Sequence, residues 1–343
     1  MKKRIAILFG GQSTEHEVSR VSAASVLRNI DTAKYDLYPI GITKSGEWFE
    51  YKGSIDKIEN GEWEKDEFYK NPKGQDVLFN KEVDVVFPVL HGLYGEDGTI
   101  QGMCKIIGIP CVGPGVLSSS VCMDKVYTKY VLQCFNIKQA DYVVVNLGEY
   151  KNNQEEIIKT IEEKLGYAVF IKPSNSGSSV GITKAHDRKE LVEGLAEALK
   201  YDRKVLVEKS INAREVEVAV LGNDLPKAAV PGEIVPAKEF YDYEAKYENA
   251  ASKLLIPADL TQEKLEEVRN TAIKVYSALD CAGMARVDFL VDKDSLDIYL
   301  NEVNTIPGFT KISMYPKLWE ASNKGYTKLI DELIDFAIER NNA

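Results

Sequence analysis

The stretch ARVDFLVDKDSLDIYLNEVNTIPG, residues 285–308, predicts two strands joined by a polar turn. In the first strand, Arg286 and Asp288 are two positions apart, so they share one face, and apolar residues occupy the other face. The turn at residues 292–295 has the sequence Asp-Lys-Asp-Ser, and Asp and Ser side chains readily hydrogen-bond to nearby backbone groups. The pattern therefore predicts a hairpin with its charges on one face.

The second strand ends in a carboxylate and an amide. Strict alternation predicts one common face for Ile298, Leu300, Glu302 and Asn304. If the two strands pair, Asp288, Glu302 and Asn304 point at one spot, and such hard oxygen ligands suit Mg²⁺ completed by substrate phosphates. Arg286 would stand beside the metal as a fixed cation for a phosphate or an oxyanion. Two solvated strands with ordinary surface charges are the alternative, because this spacing of acids is unspecific.

Length and composition favour an ordinary multidomain protein. The chain has 343 residues, enough for two or three domains with a sizeable core, and its formal net charge is −10. It has no long basic block, which disfavours a nucleic-acid partner. The five cysteines form no C-x-x-C pair, so reduced thiols in a cytoplasmic protein are the simplest interpretation. No apolar run approaches a membrane span, and the opening MKKRIAILFGG predicts no export signal.

Two glycine-rich loops follow predicted buried strands in the first third of the chain. An apolar run at residues 5–9 leads into Gly10-Gly11, and helical spacing follows over residues 18–30, which predicts a ligand site at a helix N-terminus. A strand predicted over residues 83–90 leads into HGLYGEDG (91–98) before a helix that starts near Thr99. Loops at strand carboxyl ends bind ligands in open α/β sheets. The missing G-x-G-x-x-G disfavours a Rossmann oxidoreductase.

The middle of the chain predicts a phosphate site. A strand over residues 168–172 leads into SNSGSSVG (174–181), a loop whose backbone N–H groups and hydroxyls can cover phosphates. A plain hairpin turn is the alternative, and Lys172 just before the loop favours phosphate. Lys125 offers a second point charge on a separate element. The aromatic loop FYDYEAKY (240–247) either closes over a site or packs on a surface. No P-loop or protein-kinase motif is present.

These pieces, taken in order, resemble the ATP-grasp enzymes and more closely the D-alanine–D-alanine ligase family. The resemblance rests on LFGGQSTEHEVS (8–19), HGLYGEDGTIQG (91–102), MDK (123–125), IKPSNSGSSVG (171–181), EK (208–209), FYDYEAKY (240–247), ARVDF (285–289) and NEVNTIPGFT (301–310). It implies an α/β, three-domain ATP-grasp architecture, in which two lobes clamp the nucleotide next to an N-terminal open parallel sheet. The implied domains are a Rossmann-like substrate domain (1–113), a central lobe with the Ser/Gly loop (114–208) and a C-terminal lobe with the magnesium site (209–343).

The resemblance also implies a reaction and its residues. In such ligases ATP phosphorylates the carboxylate of a first D-alanine, and the amine of a second attacks the acyl phosphate. Catalytic roles are implied for Glu15, Ser178, Tyr247, Arg286 and Gly308. Glu15, linked with Ser178 and Tyr247, would hold the first substrate's ammonium. Arg286 and the Gly308 N–H would stabilise the oxyanion. Substrate contacts are implied for His91, Ser313 and Met314.

The same resemblance implies the cofactors and partners. ATP contacts are implied for Lys125, Lys172, Glu208, Lys209, Glu215, Phe240 and Lys246. Two Mg²⁺ ions, for which Mn²⁺ can substitute, are implied to bind Asp288, Glu302 and Asn304. The implied partners are ATP and D-alanine, without nucleic acid or membrane, in a cytoplasmic homodimer that makes peptidoglycan precursors. D-serine as the acceptor, another ATP-grasp carboxylate–amine ligase, and a nucleotide-sensing protein of the same fold remain alternatives, whereas the segment YEAKY (243–247) disfavours D-lactate.

Overall fold

The computed structural model describes residues 2–66, 74–235 and 253–342, which form three sheets flanked by helices. Within these ranges, no helix has both the length and the apolar character that crossing a membrane requires. Phe240, Lys246 and Tyr247, for which ligand contacts are predicted, lie outside the described ranges.

The first sheet has the strand order β3-β2-β1-β4, in which β1 pairs in parallel with β2 and β4. Side chains 5–9 of β1 are fully buried, because helices cover both faces of the sheet. The strand predicted over 83–90 is shorter than expected, and the chain leaves it at Pro88, which has no N–H to donate. The elements of this region are β1 (Lys3–Gly10), α1 (His16–Asn29), β2 (Tyr35–Ile42), β3 (Trp48–Glu50), α2 (Ile55–Asn60), a 3₁₀ turn (Trp63–Lys65), α3 (Gly74–Phe79), β4 (Val85–Pro88) and α4 (Thr99–Ile107).

The second sheet is antiparallel, with the order β5-β8-β6-β7. Its apolar face packs on two helices through Val169, Ile171, Val205 and Val207. Alternation therefore turns Lys172 and Glu208 to the opposite face. The elements are α5 (Val116–Met123), α6 (Lys125–Cys134), β5 (Tyr142–Asn146), α7 (Leu147–Leu165), β6 (Val169–Pro173), β7 (Thr183–Ala185), α8 (Arg188–Ala198) and β8 (Lys204–Lys209).

The third sheet has the order β12-β11-β9-β13-β14, with β10 paired to β9. Two short strands occur within residues 227–235, and Pro231, which has no N–H, lies between them. The elements are β9 (Ala213–Gly222), β10 (Lys227–Ala228), β11 (Gly232–Val235), β12 (Lys253–Leu255), α9 (Gln262–Ala278), β13 (Gly283–Asp292), β14 (Ile298–Asn304), α10 (Met314–Ala321) and α11 (Tyr326–Asn342).

The predicted hairpin forms, with one correction to its faces. β13 and β14 pair antiparallel, but a bulge interrupts the register, so that Asp288 is opposite Glu302 and Phe289 is opposite Leu300. Asn301 is the extra residue, and it shifts the alternation by one position. Ile298 and Leu300 therefore belong to the buried core, whereas Glu302 and Asn304 line a cavity on the other face. The common face predicted for these four residues is wrong, although the polar pair points where the sequence predicts.

Candidate active site

One cavity of about 820 Å³ is lined by residues of the second and third sheets and by the loops that follow β1 and β4 of the first sheet. Most of the predicted site residues that the structure describes contribute to its wall, namely Glu15, His91, Lys125, Lys172, Ser178, Glu215, Arg286, Asp288, Glu302, Asn304, Gly308, Ser313 and Met314. Glu208 and Lys209 are not part of this wall. Glu208 is buried behind Lys172, and Lys209 is exposed at the end of β8. The sequence thus predicts most of a wall whose members are far apart in the chain.

Glu15 and Ser178 connect the first glycine loop to the Ser/Gly loop at residues 174–181, here called the flap. The Ser178 hydroxyl donates a hydrogen bond to the Glu15 carboxylate, which is 8% exposed. Two glycines make room for this carboxylate, because a Cβ at Gly92 or Gly177 would lie 2.6 Å from Glu15 Oε2. The flap therefore closes directly over the loop that follows β1.

His91 ties the N-terminal sheet to the loop that carries Gly308. Its ring nitrogens lie 3.0 Å from the Ile306 carbonyl oxygen and 2.9 Å from Ser22 Oγ, which also accepts a hydrogen bond from the Phe309 N–H. Burial opposes protonation of the ring, but the Glu96 and Glu15 carboxylates outweigh it and raise the pKa of His91. A protonated ring would donate from both nitrogens, so His91 holds the Gly308 loop against α1.

The base of the flap is anchored by Asp124, which sequence reasoning missed. Its carboxylate caps α6 by accepting from the Val126 and Tyr127 N–H groups, and its Oδ1 lies 2.6 Å from Ser174 Oγ. Lys125 Nζ donates to the Ser176 carbonyl oxygen at 2.6 Å. An Asp directly before a helical pattern is an N-cap signal, which could have revealed this residue.

A second residue missed by sequence reasoning is Lys129. Its ammonium lies 2.7 Å from Glu208 Oε1, and the Lys172 ammonium lies 2.7 Å from Glu208 Oε2. Burial alone would raise the pKa of Glu208, but the two lysines outweigh it and lower it to about 2. Lys129 is four positions after Lys125, so both lie on one side of α6, which was the available signal.

Acidic side chains run in a row across three neighbouring strands. Asp288 is the register partner of Glu217 on β9 and of Glu302 on β14. Arg286 binds both oxygens of Asp288, at 2.8 and 2.7 Å, and its Nε lies 3.1 Å from Glu217 Oε2. Burial opposes the charge of this guanidinium, but Asp288 and Glu217 outweigh it and raise the pKa of Arg286. Asn304 donates to Asp288 Oδ2 at 2.9 Å.

The donor set at this row fits a hard divalent cation. Asp288, Glu302 and Asn304 supply two carboxylates and an amide oxygen, leaving water and phosphate oxygens to complete the coordination of Mg²⁺. Among residues 2–66, 74–235 and 253–342, no three His, Cys, Asp or Glu side chains are grouped as around a metal ion. The magnesium site therefore stays a prediction, based on the chemistry of the donors.

Another part of the wall carries Gly308, Ser313 and Met314. Ser313 Oγ accepts a hydrogen bond from the Thr310 N–H at 3.0 Å and lies 2.8 Å from the Thr310 hydroxyl. A Cβ at Gly308 would lie 2.7 Å from Ser313 Oγ, so the glycine permits this close turn. Met314 is buried, and a Cβ at Gly232 would lie 2.9 Å from its sulfur.

Two family models match the chain. The model described as "D-ala D-ala ligase N-terminus" matches residues 4–114, and the model described as "D-ala D-ala ligase C-terminus" matches residues 131–335. Together they cover all strands of the three sheets except Lys3, the first residue of β1.

Individual proteins match over nearly the whole length. The D-alanine–D-alanine ligases of Clostridium acetobutylicum and Clostridium novyi are 81% identical over 343 residues and 75% identical over 342 residues, with 100% of each chain covered. The crystal structure of the VanG D-Ala:D-Ser ligase from Enterococcus faecalis is 41% identical, with a TM-score of 0.87 over 98% of this chain and 100% of that one. The D-alanine–D-alanine ligase from Coxiella burnetii is 34% identical, with a TM-score of 0.85 over 99% and 96%. The predicted α/β fold of the ATP-grasp kind is confirmed.

Proposed function

Because the chain belongs to the D-alanine–D-alanine ligase family, an ATP-dependent group of ATP-grasp enzymes, we propose that it uses ATP to join two D-alanine molecules. The product, D-alanyl-D-alanine, would enter peptidoglycan precursor synthesis. The observation that carries the proposal is the cavity itself, which puts the Glu15–Ser178 contact, Lys172 and the Asp288–Glu302 pair on one continuous wall.

We assign the ATP phosphates to the part of the cavity between the flap lysines and the β13–β14 hairpin. Lys125 and Lys172 serve there as point charges. Two Mg²⁺ ions held by Asp288, Glu302 and Asn304, with Mn²⁺ as a substitute, would neutralise charge on the transferred phosphoryl group. Contacts of adenine and ribose with Glu208, Lys209 and Glu215 stay predictions: Glu215 lines the cavity, whereas Glu208 and Lys209 lie outside its wall. The contacts of Phe240 and Lys246 with ATP stay predictions, because both residues lie outside the described ranges.

The chemistry proceeds in two steps. The carboxylate of the first D-alanine attacks the γ-phosphorus of ATP, which forms an acyl phosphate and releases ADP. The amine of the second D-alanine then attacks the acyl carbon, loses a proton, and expels phosphate as the amide bond forms. Arg286 and the Gly308 N–H are assigned to the oxyanion of the tetrahedral intermediate, where charge develops in the transition state.

The two amino-acid substrates are assigned to opposite parts of the wall. The buried Glu15 carboxylate pairs with the ammonium of the first D-alanine, and Ser178 closes the flap on it. The third member of this link, Tyr247, lies outside the described ranges and stays a prediction. His91 holds the Gly308 loop beside the first substrate. Ser313, with Met314 next to it, is assigned to the carboxylate of the second substrate.

The proposal also covers the domain boundaries, the oligomeric state, the location and the class of substrate. The domains are proposed as 1–113, 114–208 and 209–343, a division supported by the residue ranges of the three sheets. A homodimer and a cytoplasmic location are proposed from the family alone. The substrates are small molecules, and the acidic sequence offers no basic block for nucleic acid.

The direct test is phosphate release from ATP with Mg²⁺, measured with and without D-alanine. D-alanine-dependent release together with the dipeptide is the expected result. Binding of ATP without release would instead identify a nucleotide sensor of this fold. Release only with another amine would identify a different carboxylate–amine ligase.

D-serine is the second candidate for the acceptor. The observation in its favour is the likeness to a D-Ala:D-Ser ligase at 41% identity and a TM-score of 0.87. The relatives at 81% and 75% identity carry the D-alanine–D-alanine name, which favours D-alanine. Competition between D-alanine, D-serine and D-lactate for the acyl phosphate, followed by analysis of the products, decides between them.

A further inference from the structure

A buried ammonium lies behind Lys172, on the side away from the cavity. Lys129 is 3% exposed and is not part of the cavity wall, yet it shares the Glu208 carboxylate with Lys172, at 2.7 Å from one oxygen each. We propose that Lys129 is a positioning residue for ATP, which holds Glu208 so that Lys172 keeps its positive charge for the phosphates. This inference deepens the proposed function and rests on the assignment of Lys172 to the phosphates.

The charges of the three groups explain why a second lysine matters. One carboxylate balances one ammonium, so Lys172 and Glu208 alone would sum to zero. With Lys129 present these three groups carry one net positive charge. Glu215 and Glu302 also attract the Lys172 ammonium, but they are assigned to ribose and to the divalent cations, so a phosphate entering the cavity can neutralise the charge that Lys129 adds. Burying an ammonium that has no carboxylate of its own costs desolvation free energy. An ion pair that served only stability would therefore need one lysine rather than two. The surplus charge therefore suits a site that receives an anion.

Three elements hold Lys129 in place. The side chain starts from α6, its ammonium lies 5.0 Å from the centre of the Tyr142 ring, and Tyr142 on β5 is the register partner of Glu208 on β8. Lys172 on β6 also donates to Asn301 Oδ1 at 3.2 Å. Of the three N–H donors of the Lys172 ammonium, Glu208 and Asn301 therefore engage two. Because Lys129 takes half of the Glu208 carboxylate, Lys172 is held at the wall without being neutralised there.

The test compares ADP with adenosine, because only ADP carries phosphates. In the variant K129M, Glu208 keeps Lys172 as its partner and so stays in place. ADP should bind about tenfold more weakly, which corresponds to about 1.4 kcal/mol, while adenosine binding stays within about twofold. K129R, which keeps the charge, should restore ADP binding. ADP binding within about twofold of the wild-type value in K129M, or an equal loss for ADP and adenosine, would overturn the proposal.

A matched control is Lys324, which lies outside the cavity wall. It is partly buried, and like Lys129 it pairs with a glutamate, Glu332, and lies over an aromatic ring, 5.2 Å from the centre of Trp319. K324M should leave ADP binding unchanged. If K129M does not fold, the comparison is made with K129Q, whose amide can still donate to Glu208 but carries no charge. K129Q should also weaken ADP binding and spare adenosine binding, and an equal effect on both would contradict the proposal.

The binding experiment separates this inference from the proposed reaction, because neither ADP nor adenosine needs D-alanine in order to bind. If phosphate release does not depend on D-alanine but K129M still discriminates between ADP and adenosine, the ligase assignment fails and the role of Lys129 stands. If the ligase reaction occurs and K129M binds ADP normally, only the role of Lys129 fails.

Discussion

Asp288 and Glu302 are direct register partners across the β13–β14 ladder, and both side chains line the same cavity. Like charges placed directly opposite each other destabilise an antiparallel pair. Glu217 extends the row on the other side of Asp288, and Arg286 supplies a cation between Asp288 and Glu217. The arrangement carries more negative than positive charge, which is expected of strands that receive a divalent cation with their substrate.

Replacing Glu302 with glutamine tests this row. E302Q should lower kcat by at least about 100-fold, because a neutral amide binds a divalent cation far more weakly than a carboxylate does. Its thermal midpoint should not fall, since the substitution removes one of two facing negative charges. The measurement is phosphate release against Mg²⁺ concentration, together with a melting curve.

Asp297 offers the control for E302Q on the same hairpin. It is exposed and pairs with Lys138 at 2.6 Å, outside the cavity wall. D297N should keep ordinary activity and an ordinary Mg²⁺ requirement. Wild-type activity of E302Q at ordinary Mg²⁺ would remove Glu302 from the proposed metal site.

The flap contact can be tested with two neighbouring serines. Ser178 and Ser179 both have positive φ, 48° and 60°, so alanine faces the same type of backbone strain at each. Only Ser178 has a hydrogen bond to Glu15 among the contacts described above. S178A should raise the KM for D-alanine about tenfold or more through loss of this charge-assisted bond, and S179A should change it much less. Equal effects would mean that the backbone, rather than the hydroxyl, determines closure.

Gly177 tests the space around Glu15. A Cβ there would lie 2.6 Å from Glu15 Oε2, closer than real Cβ atoms approach, so G177A must displace the carboxylate or the flap. The expected result is a higher KM for D-alanine with little change in stability. G148A is the control, because a Cβ at Gly148 on α7 meets nothing within 4 Å. If the kinetics of G177A match those of G148A, the closed contact between Glu15 and the flap is not the productive state.

The hairpin shows what local patterning can and cannot predict. Alternation identifies the charged face of β13 correctly, because β13 is regular from Arg286 onward. The same rule fails on β14, because the bulge at Asn301 depends on how the two strands pair rather than on the sequence of either one. Glu302 and Asn304 were nevertheless placed correctly relative to Asp288, since the extra residue moves Ile298 and Leu300 to the core instead.

The side-chain contacts of the site are the part that local reasoning could not reach. Glu15 and Ser178 are 163 positions apart, so only the resemblance to a family connected them before the structure did. Asp124 was missed; its position before a helical pattern could have predicted a helix cap, but not its contact with Ser174. Lys129 carries no motif of its own, and its partner Glu208 is on a strand of another part of the chain. Ion pairs of this kind follow from tertiary packing, which neither periodicity nor spacing specifies.

The low pKa of Glu208 predicts how stability depends on pH. Its pKa is about 2 in the folded protein, against 4.5 for an ordinary glutamate, because Lys129 and Lys172 outweigh the effect of burial. A depressed pKa contributes stability that is present above pH 4.5 and is lost as the pH falls from 4.5 towards 2. The difference corresponds to about 3 kcal/mol at neutral pH. The wild-type protein should therefore lose its advantage over E208Q in unfolding free energy within this interval.

Urea unfolding of the two proteins at a series of pH values measures this loss. Subtracting the unfolding free energy of E208Q at each pH removes the contributions of the acid groups that both proteins share. The remaining dependence of the unfolding free energy on pH therefore belongs to Glu208. E197Q serves as the control, because Glu197 is a carboxylate on the protein surface with a lysine partner, Lys200. Its difference from the wild-type protein should stay small, since exposed pairs contribute little. Parallel curves for the wild-type protein and E208Q between pH 4.5 and 2 would mean that the two lysines do not hold Glu208 ionised. They would also remove the electrostatic basis for the role of Lys129.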